Sequence, residues 1–328
     1  MYSTEETLAR LAGIPNIQVT PEAPLSRYTR FGIGGPCHAL VDSASAESFA
    51  AALISLRASG APFVVIGGGT NLIVADEGFP GIVLRYTANR LLAAGDRVSA
   101  GSGALLDDVV DFANERGLRG VETLAGIPGW TGGAIYGNAG AYGHSIAERV
   151  RTVRFFDGEH ARVLHNEQCE FQYRGSIFKR RKDWIVLSAE FQFDPADPAE
   201  LRETSAGIRE VRNRKFPPSM RCAGSIFKNF LHSNLPPRAA SLVPPEVIRE
   251  GKVPAAFFLE QVGAKGLRRG GIHVADYHAN LIYNTGGGNS ADLRAIILEL
   301  KARVGDRFGI QAEEEVQYIG FDYGIQSA

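Results

Sequence analysis

Val64-Val65-Ile66-Gly67-Gly68-Gly69-Thr70-Asn71-Leu72 is a β-rich run that enters a triple-glycine turn. Glycine admits positive φ and lets a ligand come close to the backbone. The run is not the dinucleotide fingerprint G-x-G-x-x-G, because Leu72 stands at the third glycine position. No acidic residue closes a second strand about 20 residues further on, where a ribose partner belongs. It is not a phosphate-binding P-loop either, since no Gly-Lys-Ser/Thr follows. Its amides can still form an anion-binding nest, to which Thr70 and Asn71 add donors.

Outward from this turn the chain alternates strands and helices. His38–Val41, Phe63–Ile66 and Ile82–Leu84 read as strands. Ala46–Ser59 has helical spacing at Phe49, Leu53 and Leu56, serines before it and Gly60 after it. A second helix is expected over Leu105–Arg116, stopping at Gly117. Strand signals dominate Thr152–Phe156 and Trp184–Phe193, and a charged helix follows over Pro198–Arg214. Pro217-Pro218 breaks the pattern, and the segment from His232 to Pro254 reads as a surface wrap. Ser290 is expected to cap a helix that ends near Gly305, before a strand over Val316–Phe321. The β-α-β character argues for layered α/β or α+β structure.

A second glycine cluster runs Gly126-Ile127-Pro128-Gly129-Trp130-Thr131-Gly132-Gly133-Ala134 and continues through Asn138, Gly140, Ala141, Tyr142 and Gly143. Two such loops, about 60 residues apart, suit the two ends of a long dinucleotide such as FAD. Tight turns alone are the plainer reading of either cluster. With 328 residues the chain can bury a large core in two or three domains. The formal net charge of −1 leaves no global field for nucleic acid or an anionic membrane. Cys37, Cys169 and Cys222 are odd in number and far apart, so buried thiols are expected rather than disulfides or zinc ligands. His273 and His278 have no clustered acidic or cysteine partner, so no metal site is expected. No apolar stretch has the roughly 20 residues of a spanning helix, and Met1 to Ile14 is not a secretory signal, so a soluble, cytoplasmic protein is expected.

Ordered blocks over nearly the whole chain resemble the UDP-N-acetylenolpyruvylglucosamine reductases of bacterial cell-wall synthesis. They are Pro24 to Gly35, the Gly67 to Ile73 loop, Gly126 to Gly143, Tyr173-Arg174-Gly175-Ser176-Ile177-Phe178-Lys179 and Ala223-Gly224-Ser225-Ile226-Phe227-Lys228-Asn229. Leu259-Glu260-Gln261, Lys265-Gly266, Gly270-Gly271, His278-Ala279-Asn280 and Phe308-Gly309-Ile310 to Glu315-Val316 complete them. Four departures stand out. Trp130 replaces a smaller residue, Arg30 a threonine and Phe230 a proline, and the interval before Ser225 lacks the long insertion of one subtype. The chain therefore looks like the shorter subtype, without the tyrosine that the insertion brings.

The resemblance implies an α+β, FAD-binding fold of the vanillyl-alcohol-oxidase type plus a substrate domain. Its divisions would be 1–86 with 308–328, 87–212 and 213–307. It implies FAD held by the loops Ile66–Leu72, Gly126–Gly129, Gly132–Ala134, Asn138, Gly140 and Ala141. NADPH would be the reductant, an enolpyruvyl UDP-sugar the substrate, and the enzyme a monomer. A flavin oxidase or dehydrogenase with another substrate is the alternative.

Reducing an enolpyruvyl ether requires a hydride at one carbon, a proton at its neighbour and a partner for the carboxylate. Arg174 matches the carboxylate-binding arginine, whose planar fork stays charged. Ser225 matches the proton donor, although a Gly-Ser pair taken alone reads as a turn. Glu315 matches the C-terminal glutamate, a choice that the run Glu313-Glu314-Glu315 does not make by itself. The match further implies substrate contacts by Tyr142, Tyr173, Lys215, Lys228, Asn229 and His278.

Overall fold

The computed structural model describes residues 3–321; the outermost part of the expected C-terminal segment, beyond residue 321, lies outside the described residues. Three sheets organise the chain. In the first, the strands run Gln18–Pro21, Cys37–Ser43, Phe79–Tyr86 and Phe63–Val65 in spatial order. The first pair is antiparallel and the other two are parallel. Parallel neighbours need a crossover, and the Ala46–Ser59 helix supplies it. Ser45 caps that helix on the Ser48 amide, and Gly60 ends it at φ +67. Because both faces of Phe79–Tyr86 are covered, Ile82, Val83 and Leu84 are all completely buried.

The second sheet is antiparallel, in the order Ala161–His165, Val150–Phe156, Ile185–Gln192, Arg97–Gly101 and Leu91–Ala94. The helix Leu106–Asn114 and the long helix Pro198–Lys215 flank it. Asp197 caps the latter through the Ala199 and Glu200 amides, with Pro198 at the first turn, where its missing N–H costs nothing. Where the two helices meet, Asn114 Nδ2 donates to Ser205 Oγ at 2.7 Å, and both residues are fully buried.

The third sheet orders Arg221–Ser225, His278–Asn284, Ile272–Ala275 and Arg268–Arg269. It shares a core with the helices Ala255–Gln261 and Ser290–Phe308. Phe258 and Phe308 meet edge to face at 5.0 Å in this core. Phe308, Ile310, Ala312 and Val316 belong to the same cluster, whereas Ile319 packs with Leu40, Val74 and Val83 of the first sheet. The chain crosses between these cores by pairing Gln317–Ile319 in parallel with Leu72–Val74, next to the first glycine turn.

Two details of the last helix differ from the sequence expectation. Its cap is Asn289, whose side chain accepts from the Asp292 amide, and it runs through Gly305 to Phe308 before Gly309 ends it at φ +66. Helical glycine is only moderately unfavourable, and Leu300, Val304 and Phe308 bury one continuous stripe across Gly305. Ser290 serves another purpose. Its hydroxyl donates to Asp76 Oδ2 at 2.8 Å, and the same carboxylate accepts the Ser290 and Ala291 amides. One carboxylate, from the turn just before the Phe79–Tyr86 strand, thus satisfies the open N-terminus of the last long helix. The three cysteines are free and buried; burial pushes the Cys37 thiol up to about 11.

Replacing Asp76 with alanine should cost about 1–2 kcal/mol, the usual worth of a lost helix cap. The check is the urea midpoint of the purified protein. A midpoint equal to wild type would show that the clamp contributes nothing.

Candidate active site

The two glycine loops meet. Thr70 Oγ1 donates to the Pro128 carbonyl at 3.3 Å. Around this junction lies a cavity of about 490 Å³, lined among others by Gly68, Thr70, Gly126, Gly129 and Trp130. Gly69 is required here. It sits at φ +66, and a Cβ on it would lie 1.8 Å from the Tyr28 carbonyl oxygen. Its own carbonyl accepts the Arg30 amide at 3.1 Å, which fixes the turn from outside. On the other side the Gly126 amide donates to Asp107 Oδ1, and Arg209 grips the same carboxylate. That brace joins the Leu106–Asn114 and Pro198–Lys215 helices to the second loop.

A second cluster surrounds Glu315. Arg174 Nε lies 2.7 Å from Glu315 Oε1, yet it forms no well-aligned hydrogen bond. The pair is held mainly by charge. Arg174 Nη1 donates to the Gly140 carbonyl at 3.2 Å. The Glu315 backbone is pinned twice: Asn71 Nδ2 donates to its carbonyl at 2.9 Å, and its amide donates to the Ile226 carbonyl at 2.7 Å. Ser225 is therefore one residue from the backbone that anchors Glu315. It ends the Arg221–Ser225 strand after a bulge at left-handed Gly224, and its hydroxyl has no partner among the described residues.

Burial raises the Glu315 carboxyl above its ordinary value, while Arg174, Lys179 and Lys228 oppose the rise. The three adjacent glutamates are sorted by their cations. Glu313 meets Lys228, Glu314 meets Lys301 and the Tyr318 hydroxyl, and Glu315 meets Arg174. Only Glu315 faces Arg174. Burial lowers Lys179, and neighbouring Lys228 adds to the shift.

The remaining candidates group around these two centres. Tyr173 accepts from the Asn229 amide at 3.2 Å and lies under both Arg174 and Lys252. Asn229 uses its side-chain oxygen on the Ala255 amide, at the start of a helix. Lys228 is engaged with Glu313. Lys215 has no ion pair among the described residues; it lies 5.0 Å from the Phe216 ring, and Phe216 lines the cavity. His278 packs on the other side of Phe216, and burial beside Lys215 pushes its imidazole down to about 4, so it is neutral at pH 7. Tyr142 is half-exposed at φ +53. Of the proposed loop residues, Ile66, Leu72 and Ala134 send their side chains into cores. Asn138 bonds Gln172 and Ala147. Gly133 has open space where a Cβ would stand.

Sequence reasoning gave no role to Lys179, Arg209 or Arg212. Lys179 Nζ donates to the Arg174 carbonyl at 3.0 Å, and Arg174 is left-handed at φ +56. A non-glycine residue in that region costs about 1–3 kcal/mol and persists only when its surroundings impose it. The spacing Arg174-x-x-x-x-Lys179 was the available signal.

The layered α+β fold, with two glycine loops walling a cationic cavity and an arginine–glutamate pair beside it, defines a dinucleotide-dependent enzyme. Residues 37–165 match the family model described as an FAD binding domain, and residues 216–319 match that of the UDP-N-acetylenolpyruvoylglucosamine reductase C-terminal domain. The reductase of Solibacter usitatus is 63% identical over 95% of this chain and 100% of its own length. That of Carboxydothermus hydrogenoformans is 36% identical over 92% of this chain and 94% of its own length. A crystal structure of the Thermus caldophilus enzyme superposes with a TM-score of 0.69 at 30% identity, covering 92% of this chain and 98% of that one. The chain belongs to the UDP-N-acetylenolpyruvoylglucosamine reductase family and carries its FAD-binding fold. Cavity, glycines and unpaired cations fit a bound dinucleotide.

Lys179→Met removes both the anchor of the Arg174 turn and a cation that stabilises ionised Glu315. Turnover should fall at least tenfold, in line with about 1–3 kcal/mol of released backbone strain. The Glu315 carboxyl should rise further, moving the alkaline limb of the pH–rate profile, where protonated Glu315 is lost, to higher pH. Lys179→Arg should restore part of both. A normal rate with an unshifted profile would show that Lys179 is only a surface residue.

Proposed function

We propose that this chain reduces UDP-N-acetylglucosamine enolpyruvate with electrons from NADPH, and that Ser225 delivers the proton. Membership of the reductase family carries the reaction class. The arrangement of Arg174, Glu315 and Ser225 supports the assignment of roles. FAD, when bound, supplies the hydride; the rest is the work of side chains.

Arg174 receives the substrate carboxylate. Its charge is permanent, so it stabilises negative charge spreading into that group. Glu315 is the resident counter-charge. When a substrate carboxylate arrives, two anions compete for one guanidinium, which raises the Glu315 carboxyl beyond what burial already does. A protonated Glu315 accommodates the substrate without repulsion.

Ser225 sits at the end of its strand with its hydroxyl unengaged. A serine is a very weak acid, but an enolate carbon is a strong base, so a positioned hydroxyl suffices where water is excluded. Lys228 is paired with Glu313; resupply of the serine proton falls to that lysine once released or to water. Phe216 lines the cavity, with Lys215 and neutral His278 against its ring, and their chemistry suits the UDP portion: one cation for phosphate and two rings for the base. NADPH and the sugar nucleotide would use this approach in turn, giving ping-pong kinetics. The proposal takes the enzyme as a cytoplasmic monomer acting on soluble nucleotides; no described helix is long and apolar enough to cross a membrane.

Ser225→Ala separates the two half-reactions. Flavin reduction by NADPH should stay near the wild-type rate, while reoxidation by the enolpyruvyl substrate falls about 10²–10⁴-fold, the usual worth of a general acid. Stopped-flow absorbance of the flavin reads both. Equal slowing of the two would sink the assignment.

A further inference from the structure

The cavity at the junction of the glycine loops contains more positive charge than the protein neutralises. Three arginines line it. Arg209 is satisfied, with Nη2 2.8 Å from Asp107 and 2.6 Å from Asp111. Asp107 also lines the cavity, but its oxygens are taken by Arg209 and the Gly126 amide. Arg212 is different. Its Nε is buried with no hydrogen-bond partner, and the cations Arg30 and Arg174 are near enough to disfavour its charge after burial itself has done so. The Arg30 guanidinium has no hydrogen-bond or ion-pair partner among the described residues, although its backbone amide holds Gly69. Two guanidinium groups without a bonded partner thus face one cavity, where an entering anion can pair with both.

The wall beside them is aromatic and immobilised. The Trp130 indole lies against Gly68: a Cβ there would stand 3.0 Å from Cδ1 and 3.2 Å from Nε1. Arg85 lies 5.5 Å from the indole and 4.7 Å from the Tyr28 ring, and Asp42 fixes it bidentately. The indole is therefore braced by a charged plane that cannot swing away. Arg30, Gly68 and Trp130 bring cation, bare backbone and flat apolar surface to one place.

We propose that Arg30, with Arg212, pairs with the diphosphate of FAD, and that Trp130 forms the flat wall against which that nucleotide lies. This rests on the reading of the glycine loops as the FAD site. It assigns the retention of the cofactor in this chain to two side chains outside those loops' glycines. The Arg30 side chain carries no structural bond of its own, so replacing it leaves the turn at Gly69 intact.

The test follows flavin release from purified holoenzyme after dilution, read by the rise in flavin emission. Arg30→Gln should release FAD about tenfold faster, as for the loss of one charge-assisted hydrogen bond. Arg30→Lys should recover most of the difference, and release from the wild type should accelerate with salt more steeply than from Arg30→Gln. Trp130 emission should be quenched in the holoenzyme and rise as FAD leaves. Trp130→Phe should abolish that rise, because Trp184, the other tryptophan, stacks on Phe155 in the second core. Wild-type release from both Arg30 variants overturns the proposal. So does unaltered release combined with tenfold weaker binding of NADPH or the UDP-sugar, titrated through the absorbance of the bound flavin, since the cation would then serve a substrate phosphate. A wild-type protein that purifies without flavin is a separate result, because it removes the FAD reading itself.

Discussion

Everything at the site converges on the main chain and carboxylate of Glu315. Asn71, from the first glycine loop, holds its carbonyl. Ile226, beside Ser225, takes its amide. Arg174, from the second unit, meets its carboxylate. Three sheets that share little core are thereby referred to one residue. Each backbone bond is worth only about 0.5–1.5 kcal/mol, so the bonds contribute less to stability than to register. A shift of the Gln317–Ile319 strand by one residue along Leu72–Val74 would exchange Glu315 for a neighbour and reverse which face it presents.

The same constraint explains why the first glycine loop and the side chains proposed to react are not independent parts. Gly69 adopts a turn that admits no side chain, Arg30 fixes it from one side, and Asn71 leaves it to bind Glu315. Distortion of this turn would reach both the proposed FAD loop and the backbone that positions the Glu315 carboxylate. Asp76, a few residues on, ties the same segment to the last long helix. Chemistry and cohesion therefore use one stretch of chain.

Much of the fold was legible because it rests on local signals. The Ala46–Ser59 helix has its caps and its buried stripe written within 16 residues, and the structure keeps those bounds. The cap of the last helix was misplaced by one residue because Ser290 and Asn289 are equally good caps in isolation. What decided between them was Asp76, 214 positions away. The site was legible only through ordered motifs. Residue chemistry could not choose among Glu313, Glu314 and Glu315, since the choice depends on which cation each meets. Lys179 and Arg212 escaped notice for a related reason. In sequence each is one more basic residue among several, and its role comes from the carbonyl or cavity it faces after folding.

The pairing of Arg174 with Glu315 also governs what the empty enzyme ignores. A bare, partly buried guanidinium would collect any small organic acid in solution. Here a tethered carboxylate already occupies that partner, at an effective concentration no free metabolite matches. A simple carboxylic acid gains nothing by displacing it. A ligand held elsewhere by a nucleotide handle can draw on that second grip to drive the exchange. On the proposed role of Arg174, the pair would work as a sieve, admitting a carboxylate only when it comes attached to something the rest of the protein already holds.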